Sequence, residues 1–340
     1  MYQEPPSICP VCFNNSENKI FVEDFDSGAA KFTLFECPIC NVQFWFPLKH
    51  PGSSWYEENK NYKIDSPTRN TKLSKHHRIF LKEFFAKQSG RKLKLLDVGC
   101  NTGEFLLSIK KRGWEAWGID INRYAIDFAK NRLGLDNVYN EPLEVFAVRK
   151  DVPQFDVITF FEVFEHLDNH RQFLKNIDNL LADSGYLFFS VPNRQRALAK
   201  NIEGDYPPHH LARFSALSIK KLFSLIFGQK FHWQSFRYII PFKRDIDGAL
   251  FDKKGGYLRF LSINLVGKIM AHQHQKRASK DGSASENRKS KTLIGFVKFV
   301  AEAKKIVIGF PLLAIFWLIQ MFRPQSRSGL LIVFKKTQHN

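Results

Sequence analysis

Leu93-Lys94-Leu95-Leu96-Asp97-Val98-Gly99-Cys100-Asn101-Thr102-Gly103-Glu104, followed after a short interval by Gly118-Ile119-Asp120, decides how the rest of the chain reads. The apolar run from Leu93 to Val98 predicts a parallel strand buried on both faces. It breaks at Gly99, where the lack of a Cβ lets the backbone turn sharply and approach a ligand. Phe105, Leu106 and Ile109 share one face of the helix that follows. Ala116 to Ile119 reads as a second strand, ending at Asp120. The product is a βαβ unit with a glycine-bearing first turn and an acid about 20 positions on. In such a unit main-chain N–H groups meet the ligand, and the acid takes a pair of ribose hydroxyls.

The same alternation continues outward, which makes the chain α/β. Ile121 to Leu133 is a predicted helix, and a short strand lies near Asn137–Tyr139. Phe155 to Phe161 is a further strand. It leaves the sheet at Glu162-Val163-Phe164-Glu165-His166-Leu167, at the carboxyl edge where open sheets place their sites. A helix is expected from Asp168 to Leu181, then a strand over Gly185–Asn193. Ser215 is a candidate N-cap for a helix carrying Leu217, Leu222, Phe223 and Ile226. Phe231–Tyr238 and Gly329–Phe334 supply the remaining strands.

Over roughly 90–227 this run resembles motif I, the acidic loop and motifs IV to VI of the class I S-adenosylmethionine-dependent methyltransferases. Their usual loop is Asp/Glu-x-Gly-x-Gly-x-Gly. Here Asn101 replaces the middle glycine, a mild departure because Asn tolerates left-handed backbone. A nicotinamide-binding site would call for glycine at 101 and a helix start facing a phosphate. The nearest resemblance is to ubiquinone-pathway O-methyltransferases and to the broad bacterial group acting on small molecules and surface polysaccharides. It implies a Rossmann-like seven-stranded sheet over 93–241, completed by a last strand within 329–340 inserted antiparallel beside the fifth. It also implies that Asp97, Gly99, Cys100, Asn101, Gly103, Asp120, Ile121 and Phe161 bind S-adenosylmethionine. Cys100 has no base beside it and reads as a small buried residue, not a nucleophile. Relatives touch adenine with an acidic or polar residue after the third strand. Tyr139-Asn140-Glu141-Pro142-Leu143-Glu144 does not match that pattern, so no adenine contact is assigned.

Methyl transfer from a sulfonium is an in-line displacement that needs donor and nucleophile aligned. A hydroxyl acceptor also needs its proton removed. His166, just past the fourth strand and titrating near neutrality, is the candidate base. Glu162, Glu165 and His166 match the Glu-x-x-Glu-His pattern that holds a divalent cation in the ubiquinone-pathway enzymes, which implies Mg²⁺. The other reading has the glutamates orient the histidine or cap the next helix. His209-His210 begins a His-His-x-x-x-Phe-Ser stretch that relatives place over the acceptor side; His209 is a candidate substrate contact and its neighbour a loop packer.

The first 45 residues read differently. Cys9-Pro10-Val11-Cys12 and Cys37-Pro38-Ile39-Cys40 are two knuckles that together supply four thiolates, the ligand set of a closed structural zinc site. Alternating segments around Lys19–Phe25 and Lys31–Phe35, split by Asp26-Ser27-Gly28, predict a hairpin between them, hence a zinc ribbon. Residues 46–92 are expected to connect ribbon and core through a helix over Leu73–Phe85. Their aromatics, Trp55, Tyr56 and Tyr62, either reach the cofactor entrance or pack the ribbon onto the core. His76 and His77 read as surface or packing residues.

The net charge of +18 suits anionic partners, or simply a solvated basic surface. The first residues carry no basic-then-apolar leader, and four of the five cysteines are paired for metal, so reducing cytosol is the expected compartment. Residues 242–328 form an expected insertion: an amphipathic stretch over 257–270, a polar linker over 271–291 and an apolar run over 304–322. As a straight helix 306–322 reaches ~26 Å, short of a hydrocarbon core of about 30 Å. One full crossing would strand the last sheet strand on the wrong side. That favours a segment lying in the interface of an anionic membrane, against a buried helix or a dimer contact. The expected function is methylation, mainly at oxygen, of a small-molecule, glycan or lipid-linked acceptor. The alternatives are RNA methylation, suggested by charge and ribbon, and a non-catalytic zinc and cofactor module. Nucleic acid is disfavoured because Phe161-Glu162-Val163-Phe164 lacks the Asn/Asp-Pro-Pro-Tyr/Phe motif of base N-methylating enzymes.

Overall fold

The computed structural model describes residues 6–15, 18–58, 73–88, 90–196, 203–239 and 329–338. The expected insertion at 242–328, with its three stretches, lies outside the described residues, as does Tyr62. Among the described residues no helix is long and apolar enough to cross a membrane.

Three antiparallel strands open the chain: β1 (Ile20–Asp26), β2 (Lys31–Glu36) and β3 (Gln43–Phe46). The β1–β2 turn forms because Gly28 adopts φ 82° and Asp26 Oδ1 accepts its N–H at 2.8 Å. Two helices follow, α1 (Ser53–Glu58) and α2 (Lys75–Glu83). Ser74 caps α2 through a reciprocal pair: its Oγ accepts the His77 N–H, and His77 Nδ1 accepts the Ser74 N–H.

The alternating core then runs β4 (Lys94–Val98), α3 (Glu104–Lys110), β5 (Glu115–Ile119), α4 (Arg123–Leu133), β6 (Val138–Tyr139), α5 (Leu143–Phe146), β7 (Phe155–Phe161), α6 (His170–Leu180) and β8 (Leu181–Pro192). After β9 (Ala212–Arg213) come α7 (Ala216–Phe227), β10 (Phe231–Ile239) and β11 (Gly329–Lys336). The large sheet has seven strands in the order β10-β11-β8-β7-β4-β5-β6. Strands β4 to β8 pair in parallel, and β11 is antiparallel to both β8 and β10. The chain builds outward from β4 to β6, then returns to β7 on the other side of β4. The β4/β7 junction is therefore the topological switch point, where the carboxyl ends of the strands leave a crevice.

Successive residues of β8 point to opposite faces and meet different helices. Phe188 packs against Phe80 and Phe84 of α2, with ring centroids 5.0 and 4.6 Å away. Phe189 faces the other way and stacks on Phe223 of α7 and Phe334 of β11. Each buried Phe stabilises by about 1.5–3 kcal/mol, so these rings stabilise the packing on both faces of the sheet.

Two boundaries differ from expectation. Asn169, not Asp168, caps α6, and the Asp168 carboxylate instead accepts the His50 N–H at 2.9 Å. Strand β8 begins at Leu181 rather than Gly185, through a register shift opposite Phe155/Val157. The small sheet has the order β1-β2-β3-β9, so its fourth strand comes from residues 212–213. Ribbon pairing thus extends past residue 45, to Phe46 and to Ala212–Arg213.

Candidate active site

The turn after β4 is built from backbone constraints. Gly99 lies at φ 76°, and a Cβ there would stand 2.6 Å from Val163 Cγ2. The N–H groups of Gly99 and Cys100 both donate to Ile119 O, at 2.8 and 3.0 Å. Asn101 takes the left-handed φ of 49° expected for it, and its N–H donates to Asp120 Oδ2 at 2.8 Å. Asp120 Oδ1 accepts the Asn122 N–H at 2.8 Å. Each carboxylate oxygen keeps a second lone pair. Burial raises the Asp120 pKa, against the pull of these two N–H groups. Gly103 begins α3 at φ 79°. Cys100 is buried with its thiol pushed up by burial, and it packs beside Gly118. Asp97 is 3% exposed, and burial raises its carboxyl to about 7.

Gly99, Asn101, Asp120, Ile121 and Phe161 line a cleft of about 980 Å³, and Glu162, Glu165, His166, His209 and His210 line it too. That volume lies within the range of small-molecule sites. Asp97, Cys100 and Gly103 support the turn from behind and do not line the cleft. His50, Asn140 and Glu141, to which no role was assigned from sequence, also line it, as does Tyr56, one of the aromatics expected at the cofactor entrance or between ribbon and core. Glu141 Oε1 accepts from Arg149 at 2.8 Å, while its buried Oε2 has no hydrogen-bond partner among the described residues. Its position after the third strand was the available signal, and the poor motif match hid it.

Three imidazoles converge in this cleft, with candidate ligand atoms within 4.8 Å of one another: His166, His209 and His210. His166 Nδ1 is 2.6 Å from the His209 carbonyl, and His209 Nδ1 is 2.7 Å from the Gly204 carbonyl. A carbonyl only accepts, so both rings carry a proton on Nδ1. His210 Nδ1 faces the Asp205 carboxylate, 3.2 Å from Oδ1. Burial, with the neighbouring His210 and His209, holds the His166 pKa well below its usual value, so the ring is neutral at pH 7. Burial also lowers His209. The Glu165 side chain is 1% exposed, and its Oε1 stands 3.9 Å from Nε2 of both His166 and His210.

Glu162 is engaged differently. Its Oε1 accepts the Ser190 hydroxyl at 2.7 Å and faces His76 Nε2 at 3.7 Å, and its backbone sits at φ 56°. The atoms that cluster are therefore imidazole nitrogens. Mg²⁺ is a hard cation that prefers oxygen ligands and retains water, so this donor set does not fit it. His76 and His77 pack against Phe161 and Phe105, and burial drives His77 to about 3.

The four ribbon cysteines are all buried, with thiols within 4.8 Å of one another; Cys9 and Cys40 sulfurs are 4.0 Å apart. Zn–S bonds of about 2.3 Å in a tetrahedron place sulfurs about 3.8 Å apart, so the set fits zinc. The knuckles repeat one geometry. Phe13 N–H donates to Cys9 O and Asn41 N–H to Cys37 O, both at 2.8 Å, with Phe13 and Asn41 left-handed at φ 60° and 61°. Mutual bonding with Cys12 pulls the Cys37 thiol down and pushes Cys9 and Cys40 up. The ribbon reaches the histidines through backbone. Trp45 N–H donates to Leu211 O at 2.9 Å, and Leu211 N–H donates to Glu165 O at 2.8 Å. Arg194 adds bonds to the Asn41 carbonyl and side chain.

A solved S-adenosylmethionine-dependent methyltransferase from Archaeoglobus fulgidus is 18% identical, with 75% of this chain and 91% of that one covered at a TM-score of 0.42. Ubiquinone biosynthesis O-methyltransferases from Coxiella burnetii and Acinetobacter baumannii are 34% and 32% identical over 102 and 106 residues. Those matches take in 29% and 30% of this chain and 44% of each relative, so the chain spans less than half the length of the curated relatives it matches. The family model described as methyltransferase domain matches residues 71–225. That span contains β4 to β8, the Gly99 turn, Asp120 and all three clustered histidines, and over it the chain matches the methyltransferase domain.

Proposed function

We propose that this chain transfers the S-methyl group of S-adenosylmethionine to a hydroxyl oxygen of a small-molecule acceptor. The observation that carries the reading is one cleft lined by Asp120, the Gly99 turn and the imidazoles of His166, His209 and His210, with the His166 proton held on Nδ1 by the His209 carbonyl. Asp120 receives the ribose hydroxyls, Ile121 and Phe161 flank the cofactor, and Glu141 Oε2 accepts from the adenine amino group. Asp97, Cys100 and Gly103 hold the turn. The acceptor oxygen attacks the methyl carbon as the C–S bond breaks and sulfur keeps the electron pair. His166 Nε2 takes the hydroxyl proton, and its low pKa matches a base that is neutral before the reaction. His209 and Glu165 hold His166 in place or touch the acceptor, and Glu162 lines the same cleft. No step runs through Mg²⁺. The relatives' printed name supports oxygen as the acceptor atom.

The narrower form of the proposal has an acceptor carried by a glycan or a lipid and met at the cytoplasmic face of an anionic membrane, with 242–328 as the docking segment. Composition supports it: those residues hold the basic and apolar runs. Zinc in the four-cysteine site is structural, since four thiolates leave no open position.

The test is S-adenosylhomocysteine release over a panel of phenolic and sugar hydroxyl acceptors, with parent and His166→Ala. The parent should turn over at least one acceptor class, and the variant should bind S-adenosylhomocysteine normally but lose most turnover. Full turnover by the variant removes His166 from the chemistry. Vesicle flotation of the parent against a deletion of 258–322 tests the membrane form, and equal flotation on anionic liposomes ends it.

A further inference from the structure

The charge of the cleft runs against the charge of the chain. The chain carries a formal +18, with 51 lysines and arginines against 33 acids. Among the described residues that line the cleft there is no lysine and no arginine, yet Asp120, Glu141, Glu144, Glu162, Glu165 and Asp168 all line it. Asp120 and Glu141 are taken by the nucleoside in the proposed function, and Arg149, which does not line the cleft, offsets Glu141 at 2.8 Å. Glu162 accepts the Ser190 hydroxyl and Asp168 the His50 N–H. Neutral donors of this kind keep a carboxylate ionised without cancelling its charge. The imidazoles do not cancel it either. Burial holds His50, His166 and His209 below their usual value, and it does the same to His76 beside Glu162. Glu144 and Asp168 are exposed, and both act electrostatically on His50, so their charges stand close together on the wall.

We propose that this cleft selects its acceptor by charge: the part of the acceptor that enters is neutral or cationic, and carboxylate, phosphate and nucleic-acid groups are turned away. This rests on reading the cleft as the methyl-transfer site. A concave wall of one sign focuses its field, raising the local concentration of ligands of opposite sign and lowering that of like sign. One carboxylate about 7 Å from an anionic group lowers its affinity about threefold even in a water-like dielectric, and several on one wall act together. The methyl donor is itself a cation at sulfur, so donor and wall agree in sign. An acceptor carried on a phosphate linker keeps that phosphate outside the lining.

Three para-substituted phenols are the probes: tyramine, cresol and hydroxybenzoate, which are cationic, neutral and anionic at about pH 7.5. Ligand-observed NMR on the full chain saturated with S-adenosylhomocysteine should place tyramine and cresol at least about fivefold ahead of hydroxybenzoate at low ionic strength. The margin should shrink in about 1 M salt. Glu144→Lys, a reversal on an exposed side chain, should narrow the gap between tyramine and hydroxybenzoate about threefold. Its unchanged affinity for S-adenosylhomocysteine would show that the domain is folded. A further probe needs no acceptor. Sinefungin, with an ammonium-bearing carbon in place of the sulfur, should bind at least about fivefold more tightly than S-adenosylhomocysteine. Hydroxybenzoate bound as well as cresol overturns the proposal, as does sinefungin bound no better than S-adenosylhomocysteine. A gap that Glu144→Lys leaves unchanged overturns it too, because the discrimination would then not come from the wall. The expected charge order with no hydroxyl compound methylated would count against the methyl-transfer reading alone.

Discussion

Thr159 donates its hydroxyl proton to Asp97 across adjacent strands, Oγ1 to Oδ1 at 2.6 Å, with both side chains sealed inside the sheet. Burial nevertheless outweighs that bond and raises the Asp97 carboxyl to about 7. The native state therefore holds this proton more tightly than the unfolded chain, whose carboxyl titrates near 3.8. The stabilisation is complete below about pH 4 and is lost as pH rises to about 7. Asp97→Asn keeps the acceptor oxygen and removes the charge. Urea unfolding at about pH 5 and about pH 8 should show the parent losing stability relative to this variant as pH rises. Asp120 shifts in the same direction, so some slope should persist in the variant. Parallel profiles for the two proteins would contradict the assignment.

Removal of the Asp120 carboxylate takes away two ribose acceptors and the partner of the Asn101 N–H. Hydrogen bonds to a charged group contribute about 1.5–3 kcal/mol. Asp120→Ala should thus weaken S-adenosylhomocysteine binding roughly ten- to hundredfold by calorimetry. 5′-Methylthioadenosine keeps the ribose and should lose affinity by a similar factor. An unchanged Kd for either ligand would move the site elsewhere.

Gly99→Ala combines two costs, a Cβ at φ 76° and a 2.6 Å approach to Val163. A loss of about 1–3 kcal/mol is expected, measured by denaturant unfolding. Adding Val163→Ala should recover the steric part and leave the conformational part. Complete recovery would mean that the backbone carries no strain there.

Cys37→Ser should lose zinc and loosen more than the ribbon. Trp45, Leu211 and Glu165 are linked by consecutive backbone bonds, and Phe44 pairs with Ala212. Amide hydrogen exchange should rise at 209–213 as well as over 9–46. Exchange confined to the ribbon would show that the small sheet holds its fourth strand without the metal.

The βαβ unit was legible because its signals agree: an apolar run, a left-handed-tolerant turn and an acid at the right distance. Asn101 and Asp120 meet as the spacing implied, 19 positions apart. The four thiols were legible for the same reason, since two identical knuckles admit one ligand set. The meeting of His166 with His209 and His210 was legible through the resemblance alone. His209 and His210 follow β8 by a loop whose path depends on β9 joining the ribbon sheet, a pairing between positions near 43 and 212 that no local pattern encodes. The Glu162-x-x-Glu165-His166 spacing suggested a common ligand set, but the left-handed backbone at Glu162 sends its side chain to Ser190. Local spacing gives no warning of such a reversal.

Ile239, the end of β10, and Gly329, the start of β11, are direct Cα partners. Everything between them is hung from one rung of the ladder, with attachment points about 5 Å apart. The entropy of closing such a loop grows only with the logarithm of its length, so its content can be exchanged wholesale while the methyl-donor site stays the same. The converse is harsher. Strand β11 is flanked by β10 on one side and β8 on the other, so a stop codon anywhere in 240–328 would delete an interior strand and part the edge strand β10 from β8. An internal deletion that rejoins the two ends with a tight turn would leave it whole. The chain is thus open to grafting at this point and intolerant of truncation there.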